Sequence, residues 1–92
     1  MTQDDVPYLP RGVRTRFDTV RKVDVLLGPE RVLVLDQVGT AVLGRLDGKA
    51  NLAQISTDLA EVYDAPLEVI APDVIAFVED LRDRGMVHAR PR

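Results

Sequence analysis

The sequence predicts an α+β domain in which a three-stranded antiparallel sheet is followed by a three-helix bundle like that of a winged helix-turn-helix protein. The spacing of the apolar residues predicts both halves. As far as Leu35 they alternate with polar residues, as in half-buried strands, and after Asp36 they recur about every 3.6 residues, as in helices. Because the strands precede the helices instead of alternating with them, the helices are expected to cover one face of the sheet.

Three segments have the pattern of short strands, namely residues 13–18, 23–27 and 31–35. The Gly-Pro-Glu sequence at 28–30 has the residue types of a tight turn between the second and third strands. The three strands are expected to form a meander. A sheet of three strands leaves at least one lateral edge open unless another segment or a partner covers it.

Three helical patterns follow the strands. Asp36 is expected to cap the first helix, whose apolar stripe ends before Asp47 and Gly48. Asn51 is expected to cap the second, with Gln54 three residues later as in a capping box. The second helix is expected to end near residues 63–64.

The third helical pattern ends at Gly85, but Pro72 leaves its start open. The helix begins either at Pro72 or at Leu67, with a kink at the proline. Residues 86–88 are a candidate for one more short strand.

The chain is expected to hold one domain, residues 11–88. Residues 1–10 contain two of the six prolines and show no sustained periodicity, which predicts an extended, flexible lead-in. Residues 89–92 are expected to form a C-terminal tail.

The composition argues against catalysis. The chain has no cysteine, one histidine (His88) and one serine (Ser56), so thiolate chemistry, zinc-thiolate sites and iron–sulfur clusters are excluded. Ser56 falls in the middle of a predicted helix and His88 near the C-terminus, which disfavours a nucleophile–base pair. The glycines are scattered and form no phosphate loop. We therefore predict no catalytic residue, no metal and no cofactor.

The start of the chain is acidic, and its apolar runs are far shorter than the roughly 20 residues that cross a bilayer. This predicts a cytoplasmic protein that does not contact a membrane.

A winged-helix DNA-binding regulator is the main rival interpretation. Such a protein places a helix in the major groove, where Lys and Arg offset phosphate charge. Residues 66–84 instead contain five acids and two bases, and the net charge of the whole chain is −3. The sequence therefore predicts no nucleic-acid partner.

Positive charge is concentrated on the first strand and the turn after it. Arg14, Arg16, Arg21 and Lys22 lie in this region, where Asp18 is the one acid. These residues are either a solvated polar face or an electrostatic docking patch for an acidic peptide or enzyme surface.

The third strand is apolar on both faces. Val32 and Val34 point to one side, and Leu33 and Leu35 to the other. An apolar edge strand attracts another strand, and a peptide that adds there gains main-chain hydrogen bonds. Alternatively, the helices cover one face and the N-terminal segment covers the other.

Taken together, these segments resemble the PqqD family, the small peptide chaperones of pyrroloquinoline quinone biosynthesis. They also resemble the related recognition elements for precursors of modified peptides. The resemblance covers about residues 10–87. It rests on the order and spacing of Arg14-Thr15-Arg16-Phe17-Asp18, Leu27-Gly28-Pro29-Glu30, Val32-Leu33-Val34-Leu35-Asp36, Leu46-Asp47-Gly48, and Asp73-Val74 followed by Phe77, Leu81 and Gly85. Asp36 departs from the Asn common in the family, but it keeps the helix cap.

The resemblance implies that the chain binds the ribosomal precursor peptide PqqA and presents it to PqqE, a radical S-adenosylmethionine enzyme. It also implies that the peptide adds as a strand beside the third strand and lies against the third helix. The implied peptide-binding residues are Arg31, Val32, Leu33, Val34 and Leu35 on the strand, and Ile70, Val74, Phe77 and Val78 on the helix.

Three points stay open at the level of sequence. A sister pathway with a different modified peptide would use the same kind of module. A self-assembling structural protein would use the same open edge to pair with itself. The chain is expected to be a monomer or a homodimer, the latter with the proline-rich start exchanged between copies.

Overall fold

The computed structural model describes residues 1–90 and contains five strands and three helices. The strands are β1 (Val6–Tyr8), β2 (Arg14–Asp18), β3 (Val23–Gly28), β4 (Arg31–Leu35) and β5 (His88–Arg90); the helices are α1 (Gln37–Leu43), α2 (Leu52–Val62) and α3 (Leu67–Asp83). The three central strands form an antiparallel sheet in the order β2-β3-β4. The α+β class and the three-stranded meander are therefore confirmed.

The core lies between one face of this sheet and the helices. Leu26 and Leu35 contribute from the sheet and pack with apolar residues of α2, of α3 and of the segment after α3. The largest of these core side chains are Leu26, Leu52, Ile55, Leu59 and Met86. Aliphatic side chains and Met86 thus form this hydrophobic core, and one sheet face is left outside it.

The caps that the sequence predicts for the first two helices, Asp36 and Asn51, are present in the structure. The Asp36 side chain accepts a hydrogen bond from the Gly39 amide at 2.6 Å, and Asn51 and Gln54 form a complete capping box with two 2.8 Å hydrogen bonds. Asp47 accepts from the amides of Ala50 and Lys49, and these hydrogen bonds hold the pKa of its carboxyl below the ordinary value.

Helix bounds differ from the sequence pattern at two places. The first helix ends at Leu43, and Leu46, the last residue of the apolar stripe, packs against the core from the loop that follows. The third helix begins at Leu67 and continues through Pro72, which settles the alternative that the sequence left open. The missing N–H of Pro72 would have pointed at the carbonyl of Glu68, an exposed residue that water can reach.

The two ends of the chain meet in a second, two-stranded sheet. Strand β1 pairs antiparallel with β5, with Pro7 opposite Ala89. The short strand expected at residues 86–88 lies two residues later, and Met86 and Val87 are core residues instead. Residues 6–8 and 88–90 therefore belong to the same folded unit, although the sequence pattern placed the domain boundaries at 10 and 88; residues 91–92 of the predicted tail lie outside the described residues.

The segment before β1 packs on the helices. The amides of Leu52 and Ala53 donate to the carbonyls of Asp5 and Gln3, each at 3.0 Å, so this segment satisfies free amides at the start of α2. The N-terminal ammonium of Met1 lies 2.9 Å from Glu79 of α3. Its hydrogen bond and positive charge lower the pKa of the Glu79 carboxyl. The alternative that this segment covers the outer face of the sheet is therefore wrong.

No helix within residues 1–90 combines the length and the apolar character needed to cross a membrane.

Candidate peptide-binding site

The third strand of the sheet, β4, lies at an edge. Its one neighbour in the sheet is β3, and the order β2-β3-β4 places nothing on its other side. Among the described residues, no segment pairs with this free edge. The structure thus provides the open lateral strand that the sequence pattern predicted.

The turn between β3 and β4 determines which backbone groups point to the free edge. Pro29 and Glu30 form a two-residue connection, and Glu30 has a positive φ of 62°, as at the third position of a type II turn. Such a turn hydrogen-bonds the flanking pair, Gly28 and Arg31. Hydrogen-bonded and non-hydrogen-bonded pairs then alternate along the ladder. The register therefore directs the N–H and C=O groups of Val32 and Val34 away from β3.

The side chains of β4 divide between the two faces of the sheet. Leu35 belongs to the core and Leu33 packs against it, whereas Val32 and Val34 are 57% and 59% exposed on the outer face. Arg31, at the start of the strand, is exposed. The same two valines thus combine unpaired backbone groups with exposed apolar side chains.

A cavity of about 210 Å³ opens one residue beyond β4, between the helices. Ile70, Val74 and Phe77 of α3 line it, as the resemblance implied for the wall of a groove. Val78 does not line it and is fully buried in the core. The opposite wall comes from α1 and the end of α2 and includes Val38, Val42, Leu59 and Tyr63.

Gly39 explains how α1 and α3 come close enough to enclose this cavity. A Cβ atom at this position would lie 3.2 Å from Cζ of Phe77 and 3.1 Å from Oδ1 of Asp36, both tight for a carbon atom. The glycine therefore lets the Phe77 ring rest against the first turn of α1, which the Asp36 cap holds in place.

Val38 and Tyr63 are site residues that the sequence analysis did not assign. Both are exposed, and both line the cavity. Each lies at a helix end, where the apolar periodicity does not indicate which neighbouring element it will face. The one signal in the sequence is that Val38, an apolar residue, lies two residues after the Asp36 cap, close to the end of β4.

The predicted basic patch forms around the connection between β2 and β3. Arg14, Arg16, Arg21 and Lys22 are all exposed. The Asp18 carboxylate accepts hydrogen bonds from the amides of Val20 and Arg21, at 2.9 and 3.1 Å. The hydrogen bond from the Arg21 amide is the main cause that lowers the pKa of Asp18, and the guanidinium charges of Arg21 and Arg16 act in the same direction.

The single serine and the single histidine lie in separate elements. Ser56 is buried in α2, and its hydroxyl oxygen has no hydrogen-bond partner within the described structure. His88 is exposed on β5, where its ring lies perpendicular to that of Tyr8 with a centroid distance of 5.8 Å. No group of three His, Asp or Glu side chains among residues 1–90 is arranged to hold a metal ion.

Comparison with known proteins points to one family. The model of coenzyme PQQ synthesis protein D (PqqD) matches residues 25–87. The chain is 48% identical over 82 residues to the PqqA binding protein of Rhizobium meliloti strain 1021, an alignment that covers 89% of this chain and 84% of the relative.

Two solved structures are similar to this chain. The first is the solution structure of the PqqD truncation of Methylobacterium extorquens PqqCD, described as a functional, stand-alone recognition element for ribosomally synthesized and post-translationally modified peptides. It has a TM-score of 0.82 at 41% identity and covers 95% of this chain and 93% of that chain. The second is the crystal structure of PqqD from Xanthomonas campestris, with a TM-score of 0.58 at 40% identity, covering 91% and 93% of the two chains.

The hydrogen bonds of Asp18 predict a pH-dependent stability. We expect its carboxyl to titrate below the ordinary value of 3.8 in a carbon-detected NMR titration. Because the pKa is lower in the folded chain, the stabilisation is complete above the unfolded-state pKa and is lost as pH falls through the folded-state pKa. Asp18→Asn should therefore be less stable than the wild type at neutral pH, and the difference should disappear in acid.

Asp4→Asn is the matched control, since the Asp4 side chain is exposed and makes no hydrogen bond within residues 1–90. Its urea unfolding should match that of the wild type at neutral pH. Titration of Asp18 at or above 3.8 would contradict the turn geometry.

Proposed function

The chain belongs to the PqqD family, and from this premise we propose that it is a peptide chaperone that binds the ribosomal precursor peptide PqqA and presents it to the radical S-adenosylmethionine enzyme PqqE. The name of the Rhizobium meliloti relative supports PqqA as the ligand, and the description of the Methylobacterium extorquens structure supports a recognition role. In this proposal the chain binds but makes no bond itself, acts in the cytoplasm, and leaves the chemistry to its partner.

The free edge of β4 is the observation that carries the proposal. The outward N–H and C=O groups of Val32 and Val34 offer a bound strand two donors and two acceptors in antiparallel or parallel register. Main-chain hydrogen bonds of this kind hold a peptide of any sequence, so they supply affinity. Residues 31–35 therefore form the proposed backbone contact.

The cavity between the helices supplies selectivity in this proposal. It lies directly beyond β4, and Ile70, Val74 and Phe77 give it an apolar wall. An apolar side chain of the peptide that enters this cavity is removed from water and contributes about 1.5–3 kcal/mol when fully buried. Asp73 lies at the same wall and would favour a peptide with a basic or hydrogen-bonding group nearby.

DNA binding has little support in the charge of the surface. The exposed positions of α3 include four acids, Glu68, Asp73, Asp80 and Asp83, so a DNA backbone would be repelled. A sister pathway remains the second candidate, because the edge of β4 recognises backbone groups that every peptide has. The presence of a short gene encoding a Glu- and Tyr-containing peptide next to a radical enzyme would distinguish PqqA from another precursor.

A proline at position 34 tests the strand-addition mode. The N–H of Val34 points away from β3, so Val34→Pro removes a donor to the peptide and leaves the β3–β4 ladder intact. We expect it to lower the affinity for fluorescently labelled PqqA at least tenfold, about 1.4 kcal/mol, in an anisotropy titration.

Thr15→Pro is the matched control. The same alternation makes Arg14 and Leu27 a hydrogen-bonded pair, so the Thr15 N–H points to the free edge of β2, on the far side of the sheet. This variant should bind the peptide as the wild type does. Unchanged affinity of a folded Val34→Pro would rule out strand addition at β4.

Truncation of Phe77 tests the role of the cavity. Phe77→Ala removes a ring that lines the cavity and should lower the affinity for PqqA about tenfold. Ile75→Ala is the control: Ile75 is partly buried on α3 and packs against the core, but it does not line this cavity. Isothermal titration calorimetry should separate the two variants. An equal loss of affinity in both would indicate a general loss of packing and would contradict a peptide contact at Phe77.

A further inference from the structure

The outer face of the sheet carries an apolar surface that extends beyond the proposed peptide site. The register places Arg14, Leu27 and Val32 in one row across the three strands, and Arg16, Val25 and Val34 in the next. Both rows lie on the face opposite the core residues Leu26 and Leu35. The four aliphatic side chains of β3 and β4 therefore form a continuous strip outside the core.

This strip borders a shallow cavity of about 360 Å³ under the β2–β3 connection. Val25, Leu27 and Val32 line it together with Val20. Val25 is only 3% exposed although it points away from the core, because its neighbours on the outer face surround it. Val20 is 91% exposed at the tip of the connection. Because Val20 adjoins Leu27 and Val32, it extends an apolar patch rimmed by polar residues, which is typical of an interaction site.

The rim of the strip is basic. Arg14 and Arg16 stand on β2 beside it, and Arg21 and Lys22 lie in the connection above it. The Asp18 carboxylate lies 3.9 Å from Nε of Arg21 and offsets one of these four positive charges, so the rim keeps a net positive charge. Within residues 1–90, neither Arg14 nor Arg16 has an ion-pair partner within 4.0 Å. Both guanidinium groups are thus available to an outside carboxylate.

From this combination we infer that the outer face of the β2-β3-β4 sheet is the docking surface for the enzyme that receives the peptide, through a protein surface on which carboxylates surround an apolar protrusion. The inference rests on the proposed function for the existence of such an enzyme. The apolar protrusion covers Val20, Leu27 and Val32, and the carboxylates pair with Arg14 and Arg16. Apolar contact at the centre and complementary charge at the rim are the usual arrangement of a specific interface.

A second copy of this chain fits the surface less well. A two-fold symmetric contact would bring each patch against itself, so that the basic rim of one copy faces the basic rim of the other. Like charges in such contact oppose association. Charge complementarity therefore favours an acidic protein of a different kind over self-association.

The position of the strip also makes docking of the enzyme depend on whether the peptide is bound. A strand that adds to β4 extends the sheet, and alternate side chains of the peptide join Val32 and Val34 on the outer face. An enzyme seated on this face therefore contacts the module and the peptide together. It should bind the peptide-loaded chain more tightly than the free chain.

The double variant Arg14→Glu/Arg16→Glu tests the inference. We expect it to lower the affinity for purified PqqE at least tenfold at low ionic strength, with a smaller loss at high salt, and to leave the affinity for labelled PqqA unchanged. Val20→Ser should weaken PqqE binding severalfold at every salt concentration, because it removes apolar contact without a change of charge. Lys49→Glu is the control for charge reversal, since Lys49 is exposed in the loop before α2 and does not line the cavity under the β2–β3 connection.

Each outcome separates the inference from the proposed function. Wild-type affinity of the double variant for PqqE, or an equal loss in Lys49→Glu, overturns the outer-face docking surface. Loss of PqqA affinity in the double variant would assign the basic patch to peptide binding and would also overturn the docking surface. A wild-type chain that binds PqqA but not PqqE leaves peptide binding intact and removes the docking surface. If sedimentation shows that the wild type self-associates and Val20→Ser does not, a second copy occupies the face and the inference fails.

Discussion

The alternation of hydrogen bonds along the β3–β4 hairpin is the constraint on which the account depends. A tight two-residue turn at Pro29 and Glu30 fixes which residues of β4 bond inward to β3. Every second residue must then present its backbone N–H and C=O to the free edge. Since these residues are Val32 and Val34, unpaired polar groups and exposed apolar side chains fall on the same two positions.

The small size of the chain explains why this edge stays open. One helical layer covers one face of the sheet, and the two terminal segments pair with each other as β1 and β5 instead of covering the other face. The first residues are held at α2 and α3 by the Asp5 and Gln3 carbonyls and by the Met1–Glu79 ion pair. The outer face and the free edge therefore remain available for two different contacts in a chain of 92 residues.

The sequence predicted the parts of the fold that have a regular period or a local cap. The strand at residues 31–35, its position at an edge and the Asn51 capping box could be read directly. The pairing of β1 with β5 could not, since three-residue strands have no measurable period and Pro7 disfavours a strand locally. The groove was only partly predictable: the helical stripe of α3 contains both Phe77, which lines the cavity, and Val78, which is buried, and the packing of α1 through Gly39 decides between them.

Amide hydrogen exchange at β4 tests the central claim most directly. In the free chain, the amides of Val32 and Val34 should exchange rapidly while those of Leu33 and Leu35, bonded to β3, are protected. Saturating PqqA should then protect Val32 and Val34 and leave the other two unchanged. Slow exchange of Val32 and Val34 without peptide, or rapid exchange in its presence, would contradict an open edge that accepts a foreign strand.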